Sequence, residues 1–166
     1  SADGKYIVSG NSDDKIYLFD RDSNTPLWSY SSGDEIFTTA ISADGKYIAV
    51  GDGYDKIHLF HRNSSTPLWT SAADHNIESI AISADGNYIV ASSDDHKVYF
   101  FGKGSSTSLW TYETGSNALS VAISADGEYI VAGSTDDKVY LFSKDSSTPL
   151  WSYDTGGQVR SVVISA

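Results

Sequence analysis

Cysteine and methionine are both missing from the 166 residues. Without cysteine there is no disulfide scaffold, no thiolate zinc centre and no cysteine nucleophile, and nothing reports the redox compartment. Without methionine no initiator opens the chain, so an excised or engineered segment of a longer repeat protein is expected, and its localisation is left open. Basic residues are scarce: eleven Lys and Arg against 22 Asp and Glu give a net charge of -11. That charge repels a phosphate backbone, so no nucleic-acid partner is expected. No apolar run approaches the roughly 20 residues that span a bilayer, and no basic and then apolar leader stands at the N-terminus, so no membrane partner is expected either. The remaining composition, 40% hydrophobic and 13% aromatic, is that of an ordinary globular chain.

The chain consists of one unit repeated. Ser-Ala-Asp-Gly recurs at Ser1, Ser42, Ser83 and Ser124, a spacing of 41 residues each time, and Tyr6, Lys15, Phe19 and Trp28 recur in the same phase. The repeats are 1–41, 42–82, 83–123 and 124–164, and 165–166 begin a fifth. No linker interrupts them, so residues 1–166 form a single unit.

Each repeat holds short apolar segments separated by turn chemistry, with no helical spacing. In the fourth copy strand A is expected over 118–124, B over 128–133, C over 138–143 and D over 150–154. Asp126-Gly127 between A and B fits a three-residue hairpin loop with glycine in the left-handed position. Each repeat therefore reads as a four-stranded antiparallel meander. Tyr-Ile-Val in B and Ile-Tyr-Leu-Phe in C place apolar side chains on both faces of the pleat, so both faces are covered. A chain without helices achieves this by stacking its sheets around an axis as a β-propeller, here with four blades per chain.

Ile123 to Ser134 (ISADGEYIVAGS), followed by Asp136 to Phe142 (DDKVYLF), resembles the inner strands of a WD-repeat blade. The Trp-Asp dipeptide that closes strand C in that family is Phe19-Asp20, Phe60-His61, Phe101-Gly102 and Phe142-Ser143 here, and no Gly-His precedes strand A. Tryptophan stands instead in strand D, as Leu27-Trp28 and its three phase-mates. With Ser-Thr-Pro before it and Tyr-Asp-Thr-Gly after the last copy, this is similar to the outer strand of the pyrroloquinoline-quinone-type propeller repeat. The resemblance covers all four copies and implies shape, not chemistry.

Candidate chemistry reads mostly as architecture. Asp3, Asp44, Asp85 and Asp126 are explained by the Asp-Gly turn. The pairs Asp13-Asp14, Asp94-Asp95 and Asp136-Asp137 lack calcium-loop spacing and are expected to be solvated turn acids. His58, His61, His75 and His96 share no ligand pattern, and no Gly-x-Ser-x-Gly elbow or phosphate loop appears. Asn63-Ser64-Ser65 is the one glycosylation sequon, a match that chance readily supplies in a chain so rich in serine. Trp28, Trp69, Trp110 and Trp151, with Phe19 and its phase-mates, are expected to lie mostly buried between blades. No catalytic residue, metal ligand or cofactor is expected. The chain reads as a non-enzymatic scaffold or protein-interaction module, the alternative being a lectin-like or quinone-dependent propeller.

The junction from strand D into strand A diverges most among the copies: YSSGDEIF, SAADHNIE, YETGSNAL and YDTGGQVR. By family resemblance it borders the channel mouth, which makes Asp34, Glu35, His75, Asn76, Glu78, Asn117, Gln158 and Arg160 candidate binding residues for a peptide or protein. Drift on exposed loops is the other reading of the same divergence. The first repeat lacks its own strand A, while 158–164 supply one with no blade after it. Four blades in a closed ring would turn 90° from one to the next, far from the roughly 30° that face-packed sheets prefer. An eight-bladed homodimeric ring with exchange of strand 158–164 is therefore expected.

Overall fold

The computed structural model describes residues 1–165; of the fifth repeat begun at 165–166, Ala166 lies outside the described residues. The fold is all-β. The first blade comprises β1 (Tyr6–Gly10), β2 (Lys15–Asp20) and β3 (Trp28–Ser31), and the second β4 (Ile36–Ile41), β5 (Tyr47–Asp52), β6 (Lys56–His61) and β7 (Trp69–Ala72). The third comprises β8 (Ile77–Ile82), β9 (Tyr88–Ser93), β10 (Lys97–Gly102) and β11 (Trp110–Glu113), and the fourth β12 (Ala118–Ile123), β13 (Tyr129–Ser134), β14 (Lys138–Ser143) and β15 (Trp151–Asp154). Every pairing is antiparallel between consecutive strands, so each blade is a meander and strand A is its inner edge. The expected strands of the fourth copy hold to within a residue or so at their ends. Residues 158–164 do not form a ladder strand among the described residues, so the first sheet has three strands.

The recurrent Ser-Ala-Asp-Gly is a self-contained turn. In the second copy the Gly45 amide donates to the Ser42 carbonyl at 2.9 Å, and Gly45 sits at φ 67°, where a side chain would be strained. The Asp44 carboxylate accepts from the Ser42 hydroxyl at 2.8 Å and the Lys46 amide at 2.9 Å, and the Tyr47 amide donates to the Ser42 Oγ at 3.0 Å. Because the Ser42 amide donates to the Tyr47 carbonyl, four residues separate the ladder partners, one more than expected. At the opposite end of each blade, Asp14, Asp55, His96 and Asp137 stand at φ between 64° and 72°. Asp, Asn and His tolerate this left-handed position better than branched side chains, which accounts for Asp14 and Asp137 in the first and last Asp pairs; in the third blade His96, one residue past Asp94-Asp95, takes it.

The turn carboxylates make the fold sensitive to acid. Burial pushes the Asp44 carboxyl up, but the Lys46 ammonium at 2.8 Å, the Lys46 amide and the Ser42 hydroxyl outweigh it and hold the group at about 2. Asp3 and Asp126 are lowered chiefly by the serine hydroxyl of their own turn; in Asp85 burial is again outweighed by the same bonds. A depressed native pKa means that the unfolded chain binds more protons, so the stabilisation is complete above the ordinary carboxylate range and is lost as pH falls through it toward 2. Urea midpoints between pH 6 and pH 2.5 should fall steadily, and more gently in Asp44→Asn; an equal slope in that variant would refute the assignment.

The core lies between blades, in three clusters. Ile16, Leu18, Ile36, Ile48, Val50 and Phe60 join the first blade to the second. Ile57, Leu59, Ile77, Ile89 and Phe101 join the second to the third, and Val98, Phe100, Val121, Ile130 and Phe142 join the third to the fourth. Phe60, Phe101 and Phe142 are buried as expected beneath Trp28, Trp69 and Trp110 of the preceding blades, but Phe19 is only half-buried because no described blade lies on that side of it. Trp28, Trp69 and Trp110 are half-buried, each bridging to the next blade, whereas Trp151 is 50% exposed because no blade lies against β15 among the described residues. The expectation of uniform burial is corrected for these two residues by the open flanks of the array.

Candidate functional site: the strand A rim

Antiparallel meanders put the A–B and C–D turns at one end of every blade and the B–C and D–A junctions at the other. All eight candidate residues stand at the second end. Adjacent A strands lie side by side: the Ile80 amide donates to Thr38 Oγ1 at 3.2 Å and the Val121 amide to Ser79 Oγ at 3.3 Å. The Val162 amide continues the series to Ser120 Oγ at 3.1 Å, which places 158–164 in strand A position beside the fourth blade.

A bulge near the start of each paired A strand shapes this rim. The A–B register slips between Ile36 and Thr38, between Ile77 and Ser79 and between Ala118 and Ser120. The extra residue is Phe37, Glu78 or Leu119, and Arg160 occupies the same phase. A bulge leaves its residue out of the ladder and re-aims its side chain, so this phase carries whatever the rim presents. Phe37 is exposed accordingly. Phe37 and Leu119 were absent from the sequence-derived candidates; in-phase comparison with Glu78 and Arg160 was the signal that could have found them.

The rim side chains form separate groups. Asn117 Nδ2 donates to Asp94 Oδ1 at 2.7 Å, joining the third blade to the fourth. Glu78 belongs to the same group: burial pushes its carboxyl up, and the neighbouring Asp94 carboxylate pushes it further. Arg160 Nη2 donates to Gln158 Oε1 at 3.0 Å. Asp34 is used locally, accepting from the Glu35 amide at 2.6 Å, while Glu35 and His75 are exposed and Asn76 is half-buried. The structure therefore brings Glu78 and Asn117 together through Asp94, joins Gln158 to Arg160, and leaves Asp34, Glu35, His75 and Asn76 outside both groups.

Three networks lie beneath the rim, and two of them correct the reading of Asp95 and Asp136 as solvated turn acids. In the second blade Asp52 is fully buried; its Oδ1 accepts from the Tyr54 and Lys56 amides at 3.0 and 2.9 Å, and its Oδ2 lies 3.0 Å from His58 Nε2. His58 Nδ1 reaches Thr70 Oγ1 at 2.9 Å. In the third blade the same task falls to Asp95, which accepts from the Tyr99 hydroxyl and from the Lys97 amide at 2.9 Å. Burial, and then that bond, raise the Tyr99 phenol far above its ordinary range. Asp136 and Tyr140 repeat the arrangement. These acids anchor the B–C turn, and the paired change from Tyr99 to His58 in one phase was the trace they left in the sequence.

The model of the family described as outer membrane protein assembly factor BamB matches residues 12–165, nearly the whole chain. The chain belongs to this family. The pyrroloquinoline-quinone-type resemblance of its repeats is thereby borne out, together with the tandem-repeat β-propeller architecture. No curated protein matches the chain. Among the described residues no helix is long and apolar enough to cross a membrane.

Proposed function

We propose that this chain is a non-enzymatic propeller scaffold whose strand A rim docks protein segments. The observation that carries this reading is the bulged phase. Phe37, Glu78, Leu119 and Arg160 differ in every copy, while the Ser-Ala-Asp-Gly turns and the tryptophan contacts between blades keep one chemistry. The rim end carries fourteen of the 22 acidic residues and five of the eleven basic ones, which favours a basic, extended peptide over an acidic one. The family is described by an assembly factor for outer membrane proteins, which points to protein rather than lipid or nucleic acid as the partner. Glu78→Ala with Arg160→Ala should change the profile of a peptide library bound to the protein. An unchanged profile, or a thermal shift with calcium, pyrroloquinoline quinone or sugars, would overturn the reading in favour of a ligand-binding propeller.

The scaffold on this reading is an eight-bladed homodimeric ring closed by exchange of 158–164. Its support is the pair of open flanks: a first blade without strand A, and a fourth blade whose Val131, Val139, Leu141 and Trp151 form an apolar groove with Val162 and Ile164. Val163 is 88% exposed in the single chain although it stands in the phase of half-buried Ala40, Ala81 and Ala122. Light scattering should report twice 17.9 kDa. Val163→Pro, in the phase of Ala40 and exposed in the single chain, removes a ladder donor from the closing strand and should return it to the mass of one chain; a stable wild-type monomer would defeat the ring.

A further inference from the structure

The geometry points to a second copy of this chain as the occupant of both open flanks, held by one set of contacts in one register; this rests on the two-copy ring proposed above. Three contacts recur at every interblade junction. The tryptophan indole of one blade donates to a backbone carbonyl in the C–D turn of the next: Trp28 to Arg62 at 2.7 Å, Trp69 to Lys103 at 2.8 Å and Trp110 to Lys144 at 2.8 Å. The side chain of that same cation lies over the tyrosine that opens strand B of the preceding blade. Arg62 is 4.8 Å from the Tyr6 ring, Lys103 4.7 Å from Tyr47 and Lys144 5.8 Å from Tyr88. The turn glycine packs on the same ring so closely that an added Cβ at Gly45, Gly86 or Gly127 would fall 2.5 to 2.6 Å from it.

One member of each set is idle. Among the described residues the Trp151 indole finds no acceptor, and Tyr129 is 47% exposed while Tyr6, Tyr47 and Tyr88 are half-buried. Gly4 has nothing within 4 Å of its would-be Cβ. Ile7 is 46% exposed although Ile48, Ile89 and Ile130 in its phase are fully buried. Trp151 and Tyr129 belong to the fourth blade, whereas Arg21, Gly4 and Ile7 belong to the first. The two flanks are thus complements of each other, which is the condition for a head-to-tail contact between copies. In the ring, Trp151 donates to the carbonyl of the partner's Arg21, and Tyr129 packs on the partner's Gly4 beneath its Arg21 guanidinium. Val162 lies opposite the partner's Ser9 and Ile164 opposite the partner's Ile7, in the register that pairs Thr39 with Val50 and Ile41 with Ile48.

The test uses the absence of native cysteine. Oxidised Ser9→Cys/Val162→Cys should run as a covalent dimer, and Ser9→Cys/Val163→Cys should not, because a shift of one residue turns the side chain to the other face. Gly4→Asn, at a site where asparagine tolerates the left-handed backbone and nothing in the single chain obstructs it, should keep the circular dichroism of the wild type. Its self-association should weaken at least a hundredfold by sedimentation. A dimer by mass that resists cross-linking, or that ignores Gly4→Asn, overturns this register and leaves the two-copy ring standing. A wild-type monomer, or a cross-link formed within one chain, overturns both.

Discussion

Replacing Trp110 with alanine should destabilise the chain by about 3 to 5 kcal/mol, the range for deleting a large aromatic from packed surroundings. At about 2 to 4 °C per kcal/mol for a chain of this size, the melting temperature should fall by about 6 to 20 °C. The indole stacks on Phe100 at 4.9 Å with 21° between planes, lies 5.4 Å from Phe142, and donates Nε1–H to the Lys144 carbonyl at 2.8 Å. It thus joins the third blade to the fourth by packing and by a hydrogen bond. Trp110→Phe keeps part of the packing while removing the bond and should cost less than alanine, about 1 to 2 kcal/mol. Trp151→Ala should cost the single chain far less, since no blade covers that side chain among the described residues. If Trp110→Ala melted with the parent protein, that tryptophan would be a surface residue and the interblade account would fail.

The second large effect lies at the inner junctions, where the size of one residue is matched to that of a residue 26 positions on. Gly10 faces Ile36, Gly51 faces Ile77 and Gly133 faces Val159, whereas in the third blade Ser92 stands in the glycine phase and Ala118 in the isoleucine phase. A Cβ at Gly51 would fall 2.6 Å from Ile77 Cβ and 2.8 Å from Thr38 Cγ2, inside any real contact. Gly51→Ser should therefore cost about 1 to 3 kcal/mol by overpacking, and Ile77→Ala about 2 to 5 kcal/mol by leaving a cavity. Together they recreate the pair the chain already uses at its next junction. The double variant should be more stable than the sum of the singles by about 1 to 3 kcal/mol, a coupling that denaturant midpoints resolve. Strict additivity would mean that the two positions do not share one volume.

The 41-residue period conveys only part of this packing. It reveals contacts made alike in every copy: Asp44 and its phase-mates belong to a turn closed within a few residues, so their role was legible without a fold. It is silent where one copy departs from the others. Asp52 and His58 form a buried pair only because the B–C turn brings the end of β5 over the start of β6, and a serine, an aspartate and a tyrosine fill the corresponding places in the third blade. Asp95 likewise reads as a turn acid until the Tyr99 hydroxyl is seen to reach it. The rim was found through divergence, but its organising feature, the bulge at Phe37, Glu78 and Leu119, depends on how β4, β8 and β12 meet their partner strands. No property of those side chains announces it.

The sequence by itself determined the repeat, the meander, the turn chemistry and the two-sided burial of strands B and C, because each follows from short-range geometry and from which faces carry apolar residues. Only the tertiary structure decided which tryptophans are covered, which acids are buried, where the A strands bulge and which flanks of the array stay open. Those outcomes depend on distances between blades. A blade flanked on both sides and one flanked on a single side carry the same sequence pattern, and packing alone tells Trp110 from Trp151.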